Sequence, residues 1–367
     1  MKRLAPLFAI ALAAPAIAQE EPQGPPSPGE IVAAAPASEW LAIAPEDMLV
    51  MTLAPDGRGE PREVVIQLMP PPFSQGWVDN IRTLARAHWY DGVAVVRVQD
   101  NYVVQWGDPN HDNPEATGPA KPLPDGLKTM GEGDYATSEL LLIPDERGWP
   151  RFDYTLGAMM MRNAMIAANG EMQVPAEFLE DSQAEGDDPM DIPSPKIGDA
   201  YAPLASFALG WPIAGDTDDD EEPSDGTWPV HCYGMVGVGR SYSPDTGTGA
   251  ELYTVIGHAP RHLDRNIALV GRIVEGMEHL SSLPRGTGDL GFYETEEERV
   301  PILSIRVASD LEERERPRFE YLSTEGQTFA AYAEARANRR DPFFIHPAGG
   351  ADICNIPVPV RRVGESG

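Results

Sequence analysis

The chain has 367 residues, with 58 Asp and Glu against 28 Lys and Arg, for a formal net charge of −30. A field of that sign repels phosphate backbones and anionic lipid surfaces, which excludes nucleic acid and acidic membranes as partners. The length suffices for one large domain or two ordinary ones.

Residues 1–20, MKRLAPLFAIALAAPAIAQE, join Lys2 and Arg3 to an apolar run and to small residues at Ala16 and Ala18. That is the pattern of a secretory signal peptide, here 1–18, cleaved after Ala18. Loss of Lys2 and Arg3 with it takes the charge to −32. The run falls short of the ~18 continuous apolar residues of a membrane span, and no cysteine stands at the cleavage point for a lipid anchor. The expectation is therefore a periplasmic protein with no stable membrane insertion after cleavage. Residues 19–39, rich in Pro, Ala and Glu, read as a flexible tether.

Two β-type runs follow at 47–53 (DMLVMTL) and 62–68 (REVVIQL), separated by PDGRG, which is hairpin chemistry. Over 74–90, Trp77, Ile81, Leu84, Ala85 and His88 recur at spacings of three and four, the period of a helix. Residues 90–108, YDGVAVVRVQDNYVVQWGD, open on an Asp-Gly turn and continue as paired short strands. An apolar strand pair carrying one arginine, Arg97, and one glutamine, Gln105, reads as a peptide-binding face and not as a nucleotide or metal site.

From about 110 to 230 the chain is heterogeneous. It comprises a loop at 111–126, a candidate strand at 138–143 and a candidate helix at 154–169 stopped by Gly170. Met159, Met160 and Met161 invite a ligand-surface reading, but helix core is preferred. Between 177 and 225 fifteen acidic residues face one lysine, Lys196, so 181–199 and 216–225 read as acidic, Pro-bearing loops. Regular structure resumes at 231–238 (HCYGMVGV), with strands at 251–256, 267–274 and 300–308 and a short helix at 275–283. In the tail beyond 310, residues 324–338 are amphipathic through Phe329, Tyr332, Ala333 and Ala337, and 353–360 is short and β-like. Cys232 and Cys354 are the two cysteines. They pair in an oxidising compartment or stay as separate buried thiols, and the balance tilts slightly to the thiols because sequence does not place their Cα atoms.

Tyr90, Gly92, Arg97, Tyr102, Gln105, Gly107 and Asp108 fall at the spacings of Tyr-x-Gly, Arg, aromatic and Gln-x-Gly-Asp. Residues 273–277, IVEGM, match V-x-x-G-M with Ile for the leading Val. In these motifs the chain resembles the cyclophilin-type peptidyl-prolyl isomerases, over roughly 45–108 and 231–308. The resemblance implies a mainly β fold: a closed antiparallel barrel of about eight strands capped by two helices. That domain would span 40–309, with a mixed α/loop insertion at about 110–230 and a helical extension at 310–367; residues 201–212 would dock on the barrel.

An X-Pro bond rotates over a barrier of about 18–20 kcal/mol because nitrogen conjugates with the carbonyl. Lowering it requires an apolar seat for the ring and a donor aimed at the nitrogen as it becomes pyramidal, with no nucleophile, metal or cofactor. By resemblance, Arg97 is that donor, and Gln105 orients either Arg97 or the substrate carbonyl. Tyr102, Val103, Tyr253 and Leu263 would line the proline pocket, with the Gly239 and Arg240 backbone pairing the peptide. Glu251, His262 and Ile267 stand at substrate-facing positions where the family usually has Gln, often Trp, and a groove histidine. Glu251 would either hold the Arg97 guanidinium or compete for it, and Trp106, where the family has glycine, would crowd the same wall. Seven scattered histidines show no metal-ligand spacing, 108–112 lacks the rest of a calcium loop, and neither a P-loop lysine nor G-x-S-x-G occurs. The expected function is X-Pro isomerisation in unfolded or extended exported polypeptides by a monomer, assisting folding. The alternative is a catalytically weak peptide-binding or chaperone module of the same fold. A β-barrel hydrolase has no nucleophile and base to support it.

Overall fold

The computed structural model describes residues 24–111, 116–137, 199–202, 204–216 and 226–364. The signal peptide, the strand expected at 138–143, the helix expected at 154–169 and most of the acidic loops lie outside the described residues. The hairpin chemistry at PDGRG joins β2 (Met48–Leu53) to β3 (Arg62–Leu68), paired from Met48 with Gln67 to Leu53 with Arg62. These two strands, with β4 (Ala94–Val98), β5 (Val103–Gly107), β9 (Met235–Val238), β10 (Leu252–Val255), β11 (Leu269–Glu275) and β12 (Val300–Val307), form a closed barrel. Its order is β10-β5-β4-β12-β2-β3-β11-β9, and each neighbouring pair is antiparallel. Period-2 alternation then sorts β5: Val104 and Trp106 join the main core, while Val103 and Gln105 face out.

The expected helix at 74–90 is α2 (Gln75–Arg86), shorter at its end because His88 takes a positive φ of 55°. α2 buries Trp77, Ile81 and Leu84 on the barrel. Its Trp77 indole donates to the Thr246 and Gly247 carbonyls at 3.0 Å each, and the Tyr90 hydroxyl just beyond it donates to Gly249 at 2.6 Å. A helix whose apolar face serves the barrel thus also fixes the loop after β9. The second helix is a single turn, α3 (Glu278–Ser281), where 275–283 was expected.

The tether expectation needs correction. Within 19–39, α1 (Pro28–Ala33) is capped by Ser27 and Glu30 with Pro28 opening the helix, and Ile31, Val32 and Ala35 pack on the main core. β1 (Trp40–Ala42) then pairs with β13 (Phe319–Leu322), which pairs with β14 (Val360–Arg362), in a sheet outside the barrel. β14 begins where the β-like reading of 353–360 stops, because 353–355 forms a 3-10 turn. The tail helix is α4 (Gln327–Ala337), and it buries Phe329, Tyr332, Ala333 and Ala337.

Within the insertion, β6 (Leu204–Ala208), β7 (Trp211–Gly215) and β8 (Thr227–Pro229) form a separate sheet. Leu209 and Gly210 turn β6 into β7 with φ of 55° and 82°, and a Cβ on Gly210 would stand 2.4 Å from the Tyr321 ring. This sheet docks on barrel and extension together. Phe207 meets Phe329 edge-on at 5.0 Å, and the Gly210 N–H donates to Thr324 at 3.1 Å. From the barrel, the buried Arg272 donates to Gln67 at 2.9 Å and to the Gly210 carbonyl at 2.8 Å, with its guanidinium 4.5 Å from the Trp211 ring centre.

The leaning toward separate thiols is also overturned: Cys232 and Cys354 are bonded, with Cα atoms 5.1 Å apart. The barrel's return strand and the tail, far apart in sequence, are brought together by packing that no local pattern records.

Candidate active site

A cleft of about 380 Å³ runs over the outer face of β5 and β10. Arg97, Tyr102, Val103, Gln105, Gly239, Arg240, Glu251, Tyr253, Leu263 and Ile267, all expected at the site, line it. His262 does not. It is exposed on the turn that carries Leu263, so the expectation for it is not met. Trp106 is also corrected. It is wholly buried in the barrel core, since its neighbour Gln105 takes the outward position, and it crowds no wall of the cleft.

Arg97 owes its place to a β-bulge. Pairing of β4 with β5 runs Val95 with Trp106 and then Arg97 with Gln105, so Val96 is the extra residue. Val95 and Val98 enter the main core, while Val96 packs with Ala94 and Phe292 outside it. Two successive residues, Val96 and Arg97, therefore stay off the inner face, and the guanidinium reaches the cleft. Its Nε donates to the Leu290 carbonyl at 2.7 Å, Nη1 to the Gln105 amide oxygen at 3.2 Å, and Nη2 to Gln99. The Tyr102 and Phe292 rings flank it, with centres 5.6 and 5.3 Å away. Burial lowers its pKa from the ordinary value, which still leaves an arginine charged at neutral pH. Each terminal nitrogen keeps a further N–H beyond these bonds.

Glu251 does not meet Arg97 directly. Its Oε2 accepts from Gln105 Nε2 at 2.8 Å, and its Oε1 lies 3.5 Å from His111 Nδ1. Gln105 thus stands between carboxylate and guanidinium, bonded to both. The Gly239 N–H donates to the Glu251 carbonyl at 2.8 Å, extending the barrel ladder, so that donor is not open to an added strand. Arg240 is held by the Asn266 and Ser241 carbonyls at 2.8 and 2.7 Å.

The apolar side consists of Val103, Tyr253 and Val255 with Tyr102 and Ile267 against them. Behind it lies a buried polar chain that the motif spacings did not disclose. The Tyr253 hydroxyl is 2.9 Å from His231 Nε2, and His231 Nδ1 is 2.8 Å from Asp264 Oδ1. Asp264 also accepts from the His231 backbone N–H at 3.0 Å and from Arg261 Nε at 2.6 Å, and Arg261 pairs with Asp199 at 2.7 Å. An ionised carboxylate only accepts, so Nδ1 carries the proton and Nε2 accepts from the hydroxyl. Burial pushes the His231 pKa down, with Asp264 opposing, and raises that of Tyr253 well above the phenol range, so both rings are neutral. A Cβ on Gly237 would lie 2.3 Å from the Tyr253 hydroxyl oxygen, so glycine is what leaves the hydroxyl its space.

Phe292, Leu290 and His231 were not expected from sequence. The signals available were an apolar Phe-Tyr pair inside the polar stretch 284–299 and a histidine heading a strand-like run. Neither indicates a partner.

A family model described as cyclophilin type peptidyl-prolyl cis-trans isomerase/CLD matches residues 76–307. Comparison with curated proteins finds no sequence match. By structure the chain is similar to cyclophilin AquaCyp293 from Hirschia baltica, at 20% identity and a TM-score of 0.55 over 88% of this chain and 93% of that one. A cyclophilin type peptidyl-prolyl cis-trans isomerase from Cryptosporidium parvum aligns at 8% identity and a TM-score of 0.33, over 71% and 96% of the two chains.

Proposed function

Since the chain belongs to the cyclophilin-type peptidyl-prolyl cis-trans isomerase family, we propose that its cleft rotates X-Pro bonds in exported polypeptides and so assists their folding. The observation that carries this reading is the half-buried Arg97 guanidinium, fixed by three acceptors and two rings beside an apolar wall. Val103, Tyr253, Leu263 and Ile267 seat the proline ring, and a terminal N–H of Arg97 meets the nitrogen as its lone pair frees from conjugation. Planar substrate offers that N–H little, and the twisted state offers it a lone pair, so the bond strengthens where the barrier is highest. Because Arg97 is already held, no reorganisation is needed as the peptide twists. The partners are extended Pro-containing chains and the protein acts as a monomer, without metal or cofactor in the chemistry. The leader-like start of the chain supports export to the periplasm, and the Cys232–Cys354 bond fits an oxidising compartment.

The test is an isomerisation assay on the mature chain with a Pro-containing peptide, comparing wild type with Arg97→Ala. Loss of rate in a folded variant supports the reading, and an unchanged rate overturns it. One observation favours a second reading, a peptide-binding module of low turnover: Glu251 draws on the same glutamine that orients Arg97. Background catalysis with peptide binding retained selects that module.

A further inference from the structure

We propose that the buried Asp264–His231 pair positions Tyr253 and thereby sets the shape of the wall that receives the proline ring. This rests on the cleft being the isomerase site. The Tyr253 ring lines the cleft, while its hydroxyl is anchored on the far side to a histidine with no exposed surface. Three positions interlock. A side chain at 237 would collide with the hydroxyl, a phenylalanine at 253 would leave His231 Nε2 unpaired, and loss of Asp264 would release the proton that fixes the imidazole tautomer. Buried polar groups without partners are costly, so the set holds together only when complete.

The rest of the wall packs around Tyr253. Val103 and Val255 touch it in the same cluster, with Ile267 against them. Rotation about the Cα–Cβ bond would sweep the hydroxyl through space, so a bond at the far end fixes where the ring stands on the wall. Tying the hydroxyl holds the ring in one orientation before any peptide arrives, which improves ground-state binding by removing the cost of ordering it. His231 and Asp264 touch no substrate; they act through Tyr253. Their own support comes from outside the minimal barrel. Asp264 is gripped by Arg261, which pairs with Asp199 at the return of the insertion, and the His231 carbonyl lies 3.8 Å from the sulfur of Cys354 in the tail.

The experiment measures KM and kcat on a Pro-containing peptide for the mature full chain, His231→Leu, His231→Gln, Tyr253→Phe and the Tyr253→Phe/His231→Leu double variant, with Arg97→Ala as control. His231→Leu is expected to raise KM about three- to tenfold with kcat within about twofold, the span that one lost hydrogen bond covers. His231→Gln, which returns a polar atom near Nε2, recovers most of the loss. In the Tyr253→Phe background, His231→Leu changes KM no further, because the two act through one bond. Equal effects of His231→Leu in both backgrounds, or a fall in kcat at constant KM, overturn the proposal. If His231→Leu does not fold, Tyr253→Phe decides alone, and an unchanged KM there overturns it. Arg97→Ala separates the two levels. An unaffected Arg97→Ala rate removes the cleft reading and this proposal with it, whereas an inactive Arg97→Ala beside a flat Tyr253 series removes only this one.

Discussion

The two sides of the cleft are built in different ways. Arg97 is held by its own strand pair and by a nearby loop: Gln99, Tyr102 and Gln105 lie within eight residues of it, and Leu290 and Phe292 close over it. Tyr253 is held from behind by His231 and Asp264, which lean in turn on the insertion through Asp199 and adjoin the tail through Cys354. One side is complete within the barrel, and the other is completed by what has been added to it. A charged donor needs fixed acceptors close by, which a bulged hairpin supplies locally. An apolar wall needs support at depth, which only distant segments supply.

The largest expected effect strikes the second side. Cys354→Ser opens a linkage spanning 122 residues of sequence and should lower unfolding free energy by about 3–5 kcal/mol, read by denaturant titration. If the comparison holds, peptide affinity near the midpoint falls before the environment of Arg97 changes. Next, Arg97→Ala should cut kcat/KM at least about tenfold, or about 1.4 kcal/mol, with the melting temperature within a few degrees of wild type.

Third, stability should fall as pH drops. His231 titrates below its ordinary 6.5 when folded, through burial, with Asp264, Tyr253, Arg261 and His262 around it. Both states are neutral above about pH 6.5; below it the unfolded chain takes up the proton first, so folding weakens progressively as pH falls from 6.5 toward the folded-state value. The other six histidines are exposed or half-buried. His231→Gln should flatten the profile in denaturant melts at pH 7, 6 and 5. The smallest effect belongs to Glu251→Gln, about threefold or less in kcat in either direction, because Gln105 insulates Arg97 from that carboxylate. A larger change would mean that the carboxylate governs the guanidinium.

The same contrast decides what could be read from sequence. Arg97, Tyr102 and Gln105 were legible because a hairpin fixes their spacing within a dozen residues. The barrel hairpins and the buried face of α4 were legible from period-2 and period-3.6 patterns. The Val96–Arg97 bulge was not, since an inserted residue leaves the composition unchanged while reversing which side chains face out. Trp106 was misjudged by overlooking that its neighbour already faces the cleft. The ordered α1 was legible in principle from Ser27-Pro28-Gly29-Glu30, a capping box with its proline, but composition suggested a tether. Phe292 and the disulfide depend on contacts more than a hundred residues apart, and His231 on partners 22 and 33 residues away, where local chemistry carries no record of the partner.

Arg272 carries a consequence for how such a chain can be shortened. Its guanidinium is buried and, among the described residues, donates to Gln67 and Gly210 alone, and burial pushes its pKa down to about 10. Among the described residues no carboxylate answers its charge; uncharged oxygens and the faces of Trp211 and Tyr321 do so instead. Apart from Gln67 on β3, those neighbours come from the insertion and the extension. Trimming either one alone would leave a cation facing a half-built cavity, so a minimal version of this enzyme has to shed both pieces at once and replace the arginine in the same step.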